Sequence, residues 1–154
     1  MIRMTSAGWR GALAFCLASL FWNLAAGEAR AEDLPLEVKL IWASNDAQSP
    51  NPKHKKLDSE LTKWLGERYK WKNYFEENVQ TITLKGNTPI KVQMSPDCRL
   101  EIAHLGGSRI EVKLYGKDKL VNRVVETLRN RLVIAGDAKS DTAWFISIKQ
   151  VPKK

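Results

Sequence analysis

The chain has 154 residues, with 25 Lys or Arg, 17 Asp or Glu and a net charge of +8 at neutral pH. The basic balance favours anionic partners such as nucleic acid, lipopolysaccharide or acidic glycans, although an inert basic surface fits the composition equally well. The pattern has no alternation of helices and strands, and this argues against a doubly wound α/β fold.

The first 31 residues have the three-part pattern of a secretory signal peptide. Arg3 and Arg10 precede an almost entirely apolar run, Gly11 to Ala26. Ala29-Arg30-Ala31 then supplies small residues at the two positions that signal peptidase reads. The apolar run is somewhat short for a membrane span of about 20 residues, which makes an uncleaved anchor the alternative. We therefore predict export to the periplasm or the medium, cleavage before Glu32 and a single mature domain, residues 32–154.

Cys98 is the only cysteine of this mature chain, which keeps 22 basic and 16 acidic residues and a net charge of +6. No intramolecular disulfide can form, so the domain must rest on its hydrophobic core. Because Cys98 begins a strand-like run, we interpret it as a buried apolar residue, with a bridge between chains as the alternative.

One helix is predicted after the first strand, from about residue 58 to residue 70. Asp58 is a suitable N-cap. The apolar residues that share one helical face are Leu57, Leu61, Trp64 and Leu65. This face predicts a helix packed on a sheet, with Trp64 largely buried against strand residues such as Val38 or Ile146.

Eight short segments alternate apolar and polar residues or are rich in β-branched residues, and Gly, Pro and Asp turns separate them. They are Leu36–Trp42, Val79–Lys85, Ile90–Met94, Arg99–Leu105, Arg109–Tyr115, Leu120–Leu128, Arg131–Ala135 and Thr142–Val151. The sixth segment also fits a helix, but its valines favour a strand. The predicted fold class is α+β, mostly β, with about eight antiparallel strands in a sandwich or barrel-like arrangement.

Four strings carry a resemblance: IWASND (41–46), KHKKLDSEL (53–61), WKNYFE (71–76) and GDAKSDTAWF (136–145). Together they resemble a family of small exported bacterial proteins with no assigned function, over nearly all of the mature chain. The resemblance implies export and a single domain, and it supplies no catalytic residues.

The sequence contains no recognisable catalytic or metal-binding motif. His54, His104 and Cys98 are scattered rather than clustered as zinc ligands, so no metal or other cofactor is predicted. His54 lies among lysines, where we expect a neutral and solvated side chain, and His104 is expected at the end of a buried strand face.

The candidate ligand-binding surface combines cations and aromatic rings. Its residues are Lys53, Lys55, Lys56, Lys70, Trp71, Lys72 and Tyr74. Such a surface stacks bases or sugars while it neutralises phosphates. The alternative is that the aromatic residues, Trp71 among them, hold the helix on the sheet and the lysines are a solvated rim.

The sequence thus predicts an exported, non-enzymatic module that binds a protein partner through a free strand edge or an apolar patch. Binding of an anionic polymer at the basic-aromatic surface is the alternative, and a small hydrolase is the second alternative.

Overall fold

The computed structural model describes residues 32–139 and 141–152, so the predicted signal peptide lies outside the described residues. Within these ranges the chain forms one helix, α1 (Ser59–Gly66), and nine strands. The strands are β1 (Leu34–Ser44), β2 (Lys55–Lys56), β3 (Asn73–Leu84), β4 (Ile90–Ser95), β5 (Cys98–His104), β6 (Arg109–Gly116), β7 (Lys119–Thr127), β8 (Arg131–Ala138) and β9 (Thr142–Gln150).

The strands form two antiparallel sheets rather than a closed barrel. The five-stranded sheet has the order β2-β3-β1-β9-β8, and the four-stranded sheet has the order β4-β5-β6-β7. The predicted class, mostly β and antiparallel with one helix after the first strand, is therefore confirmed. All eight predicted strands are present, and the additional strand is β2, which pairs with β3 from within the loop before the helix.

The main core lies between the two sheets. Leu36, Val38 and Leu40 alternate along β1 toward the four-stranded sheet, where Leu100 and Val112 belong to the same buried cluster. Because side chains point to alternate faces of a strand, the intervening residues of β1 face the other way. The two sheets thus pack face to face as an open sandwich around one shared core.

A second, smaller core, which we call the outer core, joins α1 to the outer face of the five-stranded sheet. It includes Ile41 from β1, Leu61 and Leu65 from α1, and Phe145 from β9. Leu65 and Phe145 are essentially inaccessible to solvent. The helix is therefore fixed to the sheet by apolar contacts that are separate from the core between the sheets.

Two details of the predicted helix are wrong. The helix ends at Gly66 rather than near residue 70, because the N–H groups of Arg68 and Tyr69 both return to the carbonyl of Leu65 and turn the chain. Trp64 is only half-buried and packs on the outer core. The predicted contacts with Val38 and Ile146 do not form, since both of those residues face the core between the sheets.

The early end of the helix lets β3 begin at Asn73. Tyr74 and Phe75 consequently belong to this strand. Among the described residues, no helix has the length and apolar character needed to cross a bilayer.

Candidate functional site

The loop before α1 places the first predicted lysines and His54. Lys53, Lys55 and Lys56 are exposed, and the last two form β2. His54 is not solvated as predicted, because its side chain is only 7 % exposed. Its Nδ1 lies 2.7 Å from the Ser49 hydroxyl, and its Nε2 lies 3.9 Å from the carboxylate of Glu77 on β3.

The contacts of His54 have the order of a hydrolytic relay, hydroxyl to imidazole to carboxylate. However, the Ser49 hydroxyl also accepts the backbone N–H of Asn51 at 3.2 Å. The distance from His54 to Glu77 is too long for a hydrogen bond. These contacts fasten the loop to β3, so we assign them a structural role. In the described ranges no cluster of three potential metal ligands is found.

The aromatic residues of the predicted surface are core residues. Trp71 is 8 % exposed and Tyr74 is 4 % exposed. Their rings lie 5.7 Å and 6.3 Å from the ring of Phe145, and the ammonium of Lys70 lies 5.3 Å from the centre of the Trp71 ring. Burial, and next the neighbouring Tyr69, raise the pKa of Tyr74. The geometry thus fits the alternative interpretation of these rings better than a stacking platform for ligands.

Three lysines nevertheless meet in one groove beside α1, with a volume of about 430 Å³. We call it the lysine groove and define it by Lys56 on β2, Lys63 on α1 and Lys72 just before β3. Its other lining residues are Leu57, Ser59, Thr62, Asn73, Tyr74 and Phe75. Lys56 and Lys72 belong to the surface predicted from the sequence, and Lys63 does not. Of the other predicted residues, Lys53, Lys55, Lys70 and Trp71 do not line the groove.

Three carboxylates, on the five-stranded sheet and at the N-cap of α1, are already paired with another cation. The ammonium of Lys39 lies 3.0 Å from Glu76, 3.4 Å from Asp58 and 3.8 Å from Glu37. Burial opposes the charge of Lys39, but the hydrogen bond to Glu76 and the charges of all three acids outweigh it, so its pKa is raised. Lys39 therefore forms ion pairs with three acidic residues, Glu37, Asp58 and Glu76.

A larger cleft, of about 890 Å³, opens between the sheets next to β7 and β8. Trp42 and Trp144 are cross-strand neighbours on β1 and β9, and both line it together with Val121 from β7. A side chain at Gly136 would come closer than 3.0 Å to the Trp144 ring, so the β8 backbone approaches that ring as only glycine permits. The indole N–H of Trp42 is buried without a hydrogen-bond partner among the described residues.

Cys98 lies at the same cleft and is 4 % exposed, which confirms that it is a buried residue. Burial, assisted by the negative charge of Glu77, raises the pKa of its thiol to about 11. A thiol with this pKa stays protonated near neutral pH, and only the thiolate is a good nucleophile. Cys98 is therefore not a candidate catalytic group.

Strand β7 is one of the two edge strands of the four-stranded sheet, and β4 is the other. Leu120, Val121 and Val125 on this strand are 55 %, 53 % and 39 % exposed. Val121 and Asn122 also line the cleft between the sheets. An unpaired backbone edge, exposed apolar side chains and an aromatic cleft are therefore contiguous, and the sequence alone did not identify this combination.

A scan against protein-family models and searches of curated proteins and of solved structures found no match. The resemblance to a family of small exported bacterial proteins therefore stays a prediction.

Proposed function

We propose that this protein is an exported binding module that takes up an extended segment of a partner protein at the free edge of β7. The observation that carries the proposal is the exposed apolar surface of this edge strand, at Leu120, Val121 and Val125. An unpaired strand edge presents a row of backbone donors and acceptors, and an extended segment pairs with them as an added strand. Soluble proteins usually protect such edges with charged residues, and β7 does carry Lys119 and Arg123. Its three exposed apolar side chains nevertheless favour a binding role.

The cleft beside β7 supports a partner segment with alternating apolar side chains. On an added strand every second side chain points to the same face of the sheet. Those that point inward would meet Val121, Trp42 and Trp144, which line the cleft. The cleft has the volume of typical ligand sites, which combine apolar walls with a few polar groups. The buried Trp42 N–H is one such group, and it would donate to a carbonyl of the segment.

Export is part of the proposal and rests on the signal-peptide pattern of residues 1–31. Intact-mass analysis of protein recovered from the periplasm or the medium tests it. We expect a chain that begins at Glu32. A mass that still includes the first 31 residues would refute cleavage and favour a membrane anchor.

The docking site is tested by placing charge on the β7 edge. We would compare the unaltered protein with the double variant Val121→Lys and Val125→Lys in a pull-down from envelope extract. Val79→Lys is the matched control, because Val79 is 43 % exposed on β3 in the other sheet. Circular dichroism would verify that all three proteins are folded.

We expect the β7 double variant to lose a partner that the control variant retains at both low and high salt. Backbone pairing and apolar contacts depend little on ionic strength, whereas contacts between exposed charges are screened. Cross-linking from position 125 should then join this strand to one continuous segment of the partner. Equal retention by the β7 variant and the control would refute docking at this edge.

A further inference from the structure

We infer that the lysine groove binds a compact phosphate-bearing anion, at a site separate from the β7 edge. Lys56, Lys63 and Lys72 line one groove, and no carboxylate is among its lining residues. In the part of the chain that the structure describes, no ion pair involves any of these three lysines. The residues that line the groove therefore carry three positive charges and no negative one.

The groove is assembled by tertiary structure rather than by a run of lysines. The pairing of Lys56 with Phe75 sets β2 against β3, which brings Lys56 to the strand that Lys72 precedes. Lys63 comes from α1, which the outer core fixes on the same sheet. Three lysines that line one groove carry charges of the same sign, and a bound anion would be attracted by all three.

The lysines are the main anion-binding groups of the groove, because two of the other polar side chains already have hydrogen-bond partners. Ser59 contributes a hydroxyl group. The Thr62 hydroxyl already donates to the Leu57 carbonyl at 3.4 Å, and the Asn73 amide already donates to the Asp46 carbonyl at 2.8 Å. Lysine binds phosphate as a point charge. The three positive charges of the groove match the negative charge of a diphosphate better than that of a single carboxylate. The volume of the groove, about 430 Å³, admits a compact ligand.

The probe is inorganic pyrophosphate, titrated into the purified protein by calorimetry and followed by amide chemical shifts. The test variant replaces all three groove lysines, as Lys56→Gln, Lys63→Gln and Lys72→Gln. The matched control removes the same charge from exposed lysines elsewhere, as Lys85→Gln, Lys91→Gln and Lys119→Gln. Melting temperatures without ligand would verify that both variants are folded.

We expect saturable binding of pyrophosphate, weakened about tenfold or more in the groove variant and less than about twofold in the control. Shift changes should concentrate at the start of α1 and at β2. Absence of saturable binding, or an equal loss in the control, would overturn the inference, because the second result indicates only overall charge. The β7 double variant should bind pyrophosphate normally, so failure of the peptide-docking proposal and failure of this one are distinguishable.

A second arm identifies the source of the phosphate. Vesicles that contain phosphatidic acid would bind the protein in competition with pyrophosphate if the natural ligand is a lipid headgroup. No vesicle binding, together with pyrophosphate binding, would assign a soluble phosphate compound. Either outcome supports the lysine groove as a phosphate site.

Discussion

Replacing Phe145 with alanine tests how the helix is held on the sheet. Phe145 is 1 % exposed at the centre of the outer core. Its ring centre lies 4.6 Å from Tyr69, 5.7 Å from Trp71 and 6.3 Å from Tyr74, in tilted and edge-on arrangements. These three residues belong to the turn after α1 and to the start of β3, so one ring connects several segments.

The expected loss follows from the cavity that the substitution creates. Replacing a buried phenylalanine with alanine lowers the free energy of unfolding by about 3–5 kcal/mol. Aromatic pairs add about 0.5–1.5 kcal/mol beyond the buried area, which places Phe145→Ala toward the upper end of that range. At roughly 0.05–0.15 kcal/mol per residue, a domain of this size has about 6–18 kcal/mol of stability, so the variant should fold but be much less stable.

Urea denaturation followed by tryptophan fluorescence and by circular dichroism measures this loss. Leu120→Ala is the control, because this residue is 55 % exposed on β7 and its replacement should change stability by about 0.5 kcal/mol or less. A loss below about 1.5 kcal/mol for Phe145→Ala would mean that the outer core does not hold the helix.

Three further predictions concern single positions. Asp58 is the N-cap of α1, and its carboxylate accepts a hydrogen bond from the Leu61 N–H at 2.9 Å. Asp58→Ala should therefore lower the free energy of unfolding by about 0.5–2 kcal/mol, whereas Asp58→Asn should keep most of this stabilisation. Burial opposes ionisation of Asp58, but the Leu61 N–H and Lys39 outweigh burial and lower its pKa. The stability that ionised Asp58 contributes is therefore present above the ordinary pKa of 3.8 and is lost in acid, which urea titrations at several pH values would show. Gly136→Ala should lower stability by about 1–3 kcal/mol in the same assay, because the new methyl group displaces the Trp144 ring, and an unchanged midpoint would contradict that contact. Cys98 should resist a thiol reagent at pH 8 in the native protein and react fully in urea, whereas rapid native labelling would contradict its burial and raised pKa.

The strands were predictable because period-two patterns encode one buried face directly. In β6, Ile110, Val112 and Leu114 are fully buried, and the residues between them are not. Shifting such a strand by one residue would expose this set, so the pattern fixes both the strand and its inner face. The ambiguous segment after β6 does not follow this rule, because every residue of strand β7 is exposed except the half-buried Val124. Its β-branched content, rather than a buried face, predicted the strand.

The end of the helix was less predictable because the spacing of apolar residues continued past it, although aromatic residues are enriched in strands. Trp64, Trp71 and Phe75 follow one another at spacings of seven and four residues, as on one helical face, yet Phe75 lies on β3. The local signal for the boundary was Gly66, which is the last residue of α1. Trp64 shows a related difficulty, since an amphipathic pattern indicates that a helix packs on a sheet but does not indicate which face of the sheet it covers.

The lysine groove and the cleft depend on contacts between distant segments. Lys63 looks like an ordinary solvated helix residue in the sequence, and only the pairing of β2 with β3 brings Lys56 and Lys72 toward it. Trp42 and Trp144 likewise meet through the pairing of β1 with β9. Single residues of each site were visible in the sequence, but their association is a property of the topology.

The outer core and the lysine groove should be energetically coupled. Lys63 reaches the groove from α1, while Lys56 and Lys72 belong to the sheet side, and Phe145 packs in the core that joins the two. A variant that loosens the helix should therefore weaken pyrophosphate binding without removing any lysine, because the bound anion must then also order α1.

Phe145→Ala is the variant for this last test, with hydrogen exchange to measure the loosening of α1. We expect faster exchange in α1, weaker binding of pyrophosphate and unchanged docking of the partner at β7. Faster exchange with unchanged pyrophosphate affinity would show that Lys63 does not contribute to the site. In that case Lys63→Gln alone should also leave the affinity unchanged, and Lys56 and Lys72 would have to bind the anion without the helix.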